Sequence, residues 1–93
     1  MPKRTDHNQP EIVAALRKVG ASVQHLSSVG RGCPDLLVGF RQTNYLLEIK
    51  NTNGYNKLTP DEIRWLESWS GQAIVVRSVE EALAAIGAYG EML

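Results

Sequence analysis

The sequence predicts a small α/β fold, with elements in the order α-β-β-β-α-β-α around a mixed sheet. Two segments, residues 8–20 and 59–70, combine helix-capping residues with apolar residues at helical spacing. Three apolar runs have the length of strands, and a polar turn at residues 41–44 joins the first two of them. With 93 residues the chain is expected to form one domain over residues 1–93, and so small a core favours self-association.

The first helix is expected to begin at Asn8, whose side chain can cap it, with Pro10 in the first turn and Glu11 as a capping-box acid. Gly20 ends the helix after a stripe of apolar residues, Ile12, Val13, Leu16 and Val19. Residues 21–28 follow as a strand candidate whose alternation is imperfect.

A hairpin is predicted next. Pro34 directs the chain into residues 35–40, a short apolar run typical of a buried strand. After the polar turn, residues 45–50 are expected to return antiparallel to it. The two-residue period of a strand then divides the side chains between two faces, with Tyr45, Leu47 and Ile49 on one and Leu46, Glu48 and Lys50 on the other.

The second half of the chain follows a loop predicted over residues 51–58. A helix is expected to start with a capping box between Thr59 and Glu62, with Pro60 at its first position. The buried stripe of that helix is predicted to contain Ile63, Leu66 and Trp69. Residues 72–77 form an apolar strand without alternation, which favours a central or parallel position, and a last helix follows.

Composition excludes some classes of protein. The hydrophobic content of 43% favours a folded globule over a disordered tail. No apolar run approaches the ~20 residues that cross a bilayer, and the start of the chain lacks the apolar segment of a signal peptide. We therefore expect a soluble, cytoplasmic protein. The single cysteine, Cys33, agrees with a reducing compartment.

Charge is unevenly distributed although the net charge is zero. Residues 1–60 carry eight Lys or Arg and four Asp or Glu, whereas residues 61–93 carry two and six, so the halves are +4 and −4. Three of the four acids in the first half are candidate metal ligands, Glu11, Asp35 and Glu48. Bound divalent cations would neutralise them and leave a positive surface suited to a nucleic-acid backbone.

The hairpin carries the candidate catalytic residues. Hydrolysis of a phosphodiester with Mg²⁺ or Mn²⁺ needs oxygen ligands, a polarised water and positive charge near the developing phosphorane. Asp35 and Glu48 can supply the carboxylates if their strands are adjacent. Lys50 can orient or deprotonate the water or stabilise the transition-state charge. Glu11, in the first turn of the first helix, can point at the same cluster.

Each of these residues also has a simpler explanation. Glu48 and Lys50 can form the solvated face of an edge strand. Glu11 can be a helix-capping acid only, and Asp35 a turn residue. Arg31, between two glycines, can be a solvated loop charge or a phosphate clamp.

Two smaller groups of residues carry weaker signals. Trp65 and Trp69 lie on an amphipathic helix away from the basic half of the sequence, which favours the core or a dimer interface over base stacking. His7, His25 and Cys33 lack the spacing of a zinc site.

The combination of these features closely resembles the PD-(D/E)XK nuclease superfamily: a Glu in the first helix, Pro-Asp opening the second strand and Glu-Ile-Lys ending the third. Within it, the segments GRGCPDLLVG, LLEIK and KLTPDEIRWLESW look like the VRR-NUC family, specifically its small stand-alone phage and bacterial members. The resemblance covers about residues 8–86 and implies a restriction-endonuclease-like core.

The resemblance implies a role for each matching residue. Asp35 and Glu48 would be metal ligands, with the backbone carbonyl of Ile49 as a third. Lys50 would be the catalytic lysine, and Glu11 would assist the metal through water.

The resemblance also implies a function, that of a Mg²⁺- or Mn²⁺-dependent DNA endonuclease similar to Holliday-junction resolvases. Such a protein would act as a homodimer on branched DNA in a bacterial or phage-infected cell, and Lys57 would contact phosphate. Two alternatives stay open: a catalytically inactive DNA-binding module with the same fold, and an interaction protein without a nucleic-acid partner. The intact acids argue against the first, because binding alone would favour replacing carboxylates that face phosphate.

Overall fold

The computed structural model describes residues 8–51 and 57–92, so His7 and most of the predicted loop lie outside the described residues. Within these residues the element order confirms the predicted α/β fold. The helices are α1 Gln9–Lys18, α2 Pro60–Ser68 and α3 Val79–Ala85, with a final 3-10 helix Tyr89–Met92. The strands are β1 Ser22–His25, β2 Leu36–Phe40, β3 Thr43–Ile49 and β4 Ile74–Val76.

The described strands form one mixed sheet in the order β1-β2-β3-β4. The first three are antiparallel to their neighbours, and β4 is parallel to β3. The predicted hairpin and the predicted parallel strand are thus confirmed, but β4 lies at an edge of this sheet. Arg41 and Gln42 close the hairpin with φ of 50° and 67°, as a two-residue turn that matches the sheet twist requires. The crossover to β4 contains α2.

The two faces of the sheet have different coverings. Helices α1 and α3 pack together with one face, where the buried side chains of the hairpin are Leu36, Val38, Phe40, Leu47 and Ile49. The opposite face of the hairpin carries Leu37, Leu46, Glu48 and Lys50, and α2 lies on that side. The predicted division of the β3 side chains between two faces therefore agrees with the structure.

The start of α1 differs from the prediction. Asn8 has helical backbone angles, φ −85° and ψ −2°, and its side chain makes no capping hydrogen bond. Its amide nitrogen instead donates to the carbonyls of Lys50, at 3.1 Å, and Arg77, at 3.0 Å. Asn8 is the N-cap residue, as predicted, but its side chain makes no capping bond because it ties α1 to the ends of β3 and β4.

The orientation of α2 also differs from the prediction. Its capping box is confirmed: the Thr59 hydroxyl accepts from the Glu62 N–H at 3.2 Å, and Glu62 Oε1 accepts from the Thr59 N–H at 2.8 Å. The predicted buried stripe is wrong, because Ile63 and Trp69 are exposed and Glu62 is the buried residue of the helix. No helix in the described part of the chain is long and apolar enough to cross a membrane.

Candidate active site

Asp35 and Glu48 come together across the β2–β3 hairpin. Asp35 immediately precedes β2, whose first residue Leu36 pairs with Leu47, so Asp35 lies at the end of the hairpin that also carries Glu48. Asp35 is 2% exposed, and its Oδ2 accepts a hydrogen bond of 2.7 Å from the Ile49 N–H. A turn residue would be solvated, so this burial argues for a site role.

Glu48 and Lys50 lie on the same side of the chain, as the two-residue period predicts. Lys50 Nζ is 3.5 Å from Glu48 Oε2. The two residues are 1% and 6% exposed, so the alternative of a solvated strand face is wrong. Charged side chains are almost never buried this deeply unless they are paired, and here they form one cluster.

Glu62 joins this cluster from α2, and the sequence did not identify it as a site residue. Its Oε1 is 2.7 Å from Lys50 Nζ, closer than Glu48, and Glu62 is 2% exposed. The same oxygen accepts from the Thr59 N–H, so one carboxylate both caps α2 and holds the lysine. Its capping-box position accounted for the acid locally and so concealed the second contact. The sequence around Glu62 therefore gives no separate signal of its contact with Lys50, and only the fold reveals that contact.

Gly32 allows α2 to approach closely the loop that precedes Asp35. Gly30, Arg31 and Gly32 all have positive φ, of 75°, 56° and 84°. A Cβ added at Gly32 would collide with the Asp61 carbonyl, in the first turn of α2. Only glycine allows this approach, which brings Glu62 over the end of the hairpin.

The remaining predicted site residues lie at the surface. Glu11, Arg31 and Lys57 are exposed. Among the described residues, no hydrogen bond or ion pair joins any of them to Asp35, Glu48 or the Lys50 ammonium. Their roles toward metal and phosphate stay predictions, and Glu11 could act on the cluster only through an intervening water.

The cluster carries an excess of buried negative charge. The buried charged side chains of the described residues are Asp35, Glu48, Glu62 and Lys50, whose formal charges sum to −2. Three buried carboxylates in one place provide the hard oxygen ligands that suit a divalent cation. No group of three His, Cys, Asp or Glu side chains among residues 8–51 and 57–92 is placed to hold a metal ion. A metal would therefore need an oxygen other than a third carboxylate.

The Ile49 carbonyl is placed to be that oxygen. The Lys50 N–H donates to the Val76 carbonyl in β4 at 3.0 Å. In a trans peptide the C=O points opposite to the N–H, so the Ile49 carbonyl points away from β4 and toward the side of Asp35. The Ile49 N–H already bonds to Asp35 on that side. The two carboxylates, the ammonium group and the carbonyl thus all belong to the same end of the hairpin.

The comparisons with known proteins concern the fold as a whole. Neither a family model nor a curated protein matches the chain. A solved structure described as a VRR_NUC domain matches with a TM-score of 0.66 and 26% identity, over 90% of this chain and 99% of that one. This match indicates a nuclease of the PD-(D/E)XK type. It supports membership of the VRR-NUC family, which the motifs predict.

Proposed function

We propose that this protein is a metal-dependent DNA endonuclease that hydrolyses phosphodiester bonds in branched DNA as a homodimer. The observation that carries the proposal is the burial of Asp35, Glu48 and Lys50 in one cluster on the α2 side of the hairpin. Carboxylate and carbonyl oxygens are the ligands that Mg²⁺ and Mn²⁺ prefer. An ammonium group beside them suits the charge that develops on phosphate during hydrolysis.

Each residue has a role that follows from its position. Asp35, Glu48 and the Ile49 carbonyl would hold the cation, which when bound supplies a Lewis acid and a more acidic water. Lys50 is held between Glu62 and Glu48, so its Nζ stays beside the cation site without further ordering. From there it orients the attacking water or stabilises the charge on the phosphate. Glu62 acts through Lys50 and is a positioning residue.

Symmetry supports branched DNA as the substrate and a dimer as the active form. The buried acids of the described residues form one cluster, so one copy of the chain would cut one strand at a time. Two copies related by a two-fold axis present two sites to the two strands of a junction. Light scattering on the purified protein, alone and with a four-way junction, tests the stoichiometry.

Cleavage tests the site assignment. Wild-type protein is expected to cut a panel of junction, flap, single-stranded and duplex DNA in Mg²⁺ or Mn²⁺ but not in chelator. Asp35→Ala and Lys50→Ala are expected to lower cleavage by about 10²–10³-fold, the loss seen when a key charge-stabilising group is removed. If both variants cut as well as wild type in Mn²⁺, the site is wrong. Binding in a gel-shift assay without cleavage in any divalent metal would favour an inactive DNA-binding module.

A further inference from the structure

An apolar groove lies between α2 and the sheet, on the face that carries the buried acids. Its volume is about 580 Å³. The two hairpin strands contribute Leu37 and Leu46 to its lining. Leu46 precedes Glu48 by two residues, so the backbone positions of these two residues lie about 6.6 Å apart on the same strand face. The groove therefore adjoins the candidate active site.

Two stacked indoles form the α2 wall of this groove. The rings of Trp65 and Trp69 lie 4.6 Å apart with 19° between their planes. Trp65 lies three residues after Glu62 and so on a neighbouring position of the same face of α2. Trp69 follows the helix as its C-cap residue, and its N–H donates to the Trp65 carbonyl at 3.0 Å. Trp69 is 47% exposed, so the prediction of a core position is wrong for it. A large aromatic surface is thus open to the groove beside the acids.

We propose that this groove binds an unpaired nucleobase of the nucleotide next to the phosphate that is cut. This inference rests on the proposed nuclease function and names what that site recognises in branched DNA. A base attached to the sugar next to the bound phosphate extends no farther from that phosphate than the length of one nucleotide. The groove lies within that distance of the acid cluster. Its lining offers ring surface for stacking and little hydrogen-bonding capacity, which suits any base irrespective of sequence.

The groove explains how a small protein selects DNA structure. In a continuous duplex, a base must leave its stack before an indole can cover it, which costs a few kcal/mol. At a branch, bulge or flap the base is already unpaired, so this cost is absent. The same stacking contact then favours branched over continuous DNA without reading any base edge.

A second copy of the chain is the competing occupant. Self-association through a concave groove requires that each copy also presents a projecting part that fills the groove of the other. Of the exposed large apolar residues, Val29 and Trp69 line the groove itself, and the candidates for such a part are Ile63, Ile74 and Tyr89. The position of the groove beside the acid cluster favours the nucleobase as its occupant.

Intrinsic fluorescence tests occupancy directly, because the only two tryptophans in the sequence both line the groove. The Asp35→Ala variant is titrated, with chelator present, with a duplex that contains a bulge of unpaired thymidines and with the same duplex lacking the bulge. Saturable quenching is expected at about tenfold lower concentration with the bulged duplex. Equal quenching by both duplexes overturns the proposal. The proposal is also overturned if tryptophan emission changes when the protein is concentrated without DNA and light scattering shows that its mass doubles.

Cleavage by groove variants separates stacking from packing. Trp69→Leu is expected to lower the ratio of bulged to continuous duplex cleavage by about tenfold, whereas Trp69→Phe, which keeps a ring, retains most of it. Ile63→Ala, an exposed residue of the same helix outside the groove lining, is the matched control and should leave the ratio unchanged. An unchanged ratio in Trp69→Leu refutes the groove role and leaves the nuclease function standing. Bulge-dependent quenching in a protein that cleaves no DNA would instead support the groove role and refute the nuclease function.

Discussion

Replacing Glu62 by Gln should separate the catalytic from the structural role of this residue. The amide oxygen can still accept from the Thr59 N–H and from Lys50 Nζ, so both contacts of Glu62 Oε1 persist without the charge. The Lys50 ammonium keeps its charge, so the remaining bond has one ionised partner where the native ion pair has two. The substitution therefore weakens the hold on Lys50 by about 1–1.5 kcal/mol.

We expect the Glu62→Gln variant to lose activity while keeping its stability. A loss of this size in the transition state lowers kcat about tenfold and leaves KM nearly unchanged. The free energy of unfolding should change by less than about 1 kcal/mol, because removing one of three buried carboxylates offsets the weaker bond. Glu62→Ala removes both contacts and should cost about 3–5 kcal/mol.

Single-turnover cleavage of a junction and urea unfolding measure the two quantities. Glu67→Gln removes one negative charge from an exposed position of the same helix and is the matched control. Wild-type kcat in Glu62→Gln would refute the positioning role. A parallel fall in kcat and stability would assign the residue to packing alone.

Two further predictions concern the loop and the metal. Gly32→Ala should lower the free energy of unfolding by about 2–4 kcal/mol, since its Cβ meets the Asp61 carbonyl at a left-handed backbone position. Gly30→Ala, with positive φ but open space, should cost only about 1 kcal/mol, and equal losses in urea titrations would contradict the close approach. Mn²⁺ at 100-fold excess over its Kd should stabilise the wild type by about 2.7 kcal/mol in thermal unfolding. Asp35→Ala should lose most of this gain, and an undiminished gain would place the cation elsewhere.

The cluster shows why a local assignment can be correct and still incomplete. The capping box of Thr59 and Glu62 was predicted from residues three positions apart, and it forms. The same Glu62 oxygen also reaches Lys50, twelve positions earlier, a contact that no local pattern encodes. Because the local contact sufficed to explain the acid, the long-range one was missed.

Asn8 and α2 illustrate the limits of periodicity. Asn8 has the right type for a helix cap, but the ends of β3 and β4 offer its amide two carbonyls, and it bonds to those. For α2, Ile63, Leu66 and Trp69 were predicted to face the interior, on the premise that the apolar stripe is the buried one. The helix instead turns Glu62 inward, because a buried ammonium requires a partner more than Ile63 requires burial.

The sequence by itself determined the strands of the hairpin and the side of β3 on which Glu48 and Lys50 lie, since the two-residue period of a strand is a local property. It also predicted the resemblance to the VRR-NUC family, which the structural match supports, through motifs that lie close together in the chain. Only the tertiary structure decided that these charges are buried, that Glu62 completes the cluster, and that Trp65 and Trp69 line a groove beside it. Each of these depends on how α2 packs against the sheet, and that packing is set by contacts between residues far apart in the chain.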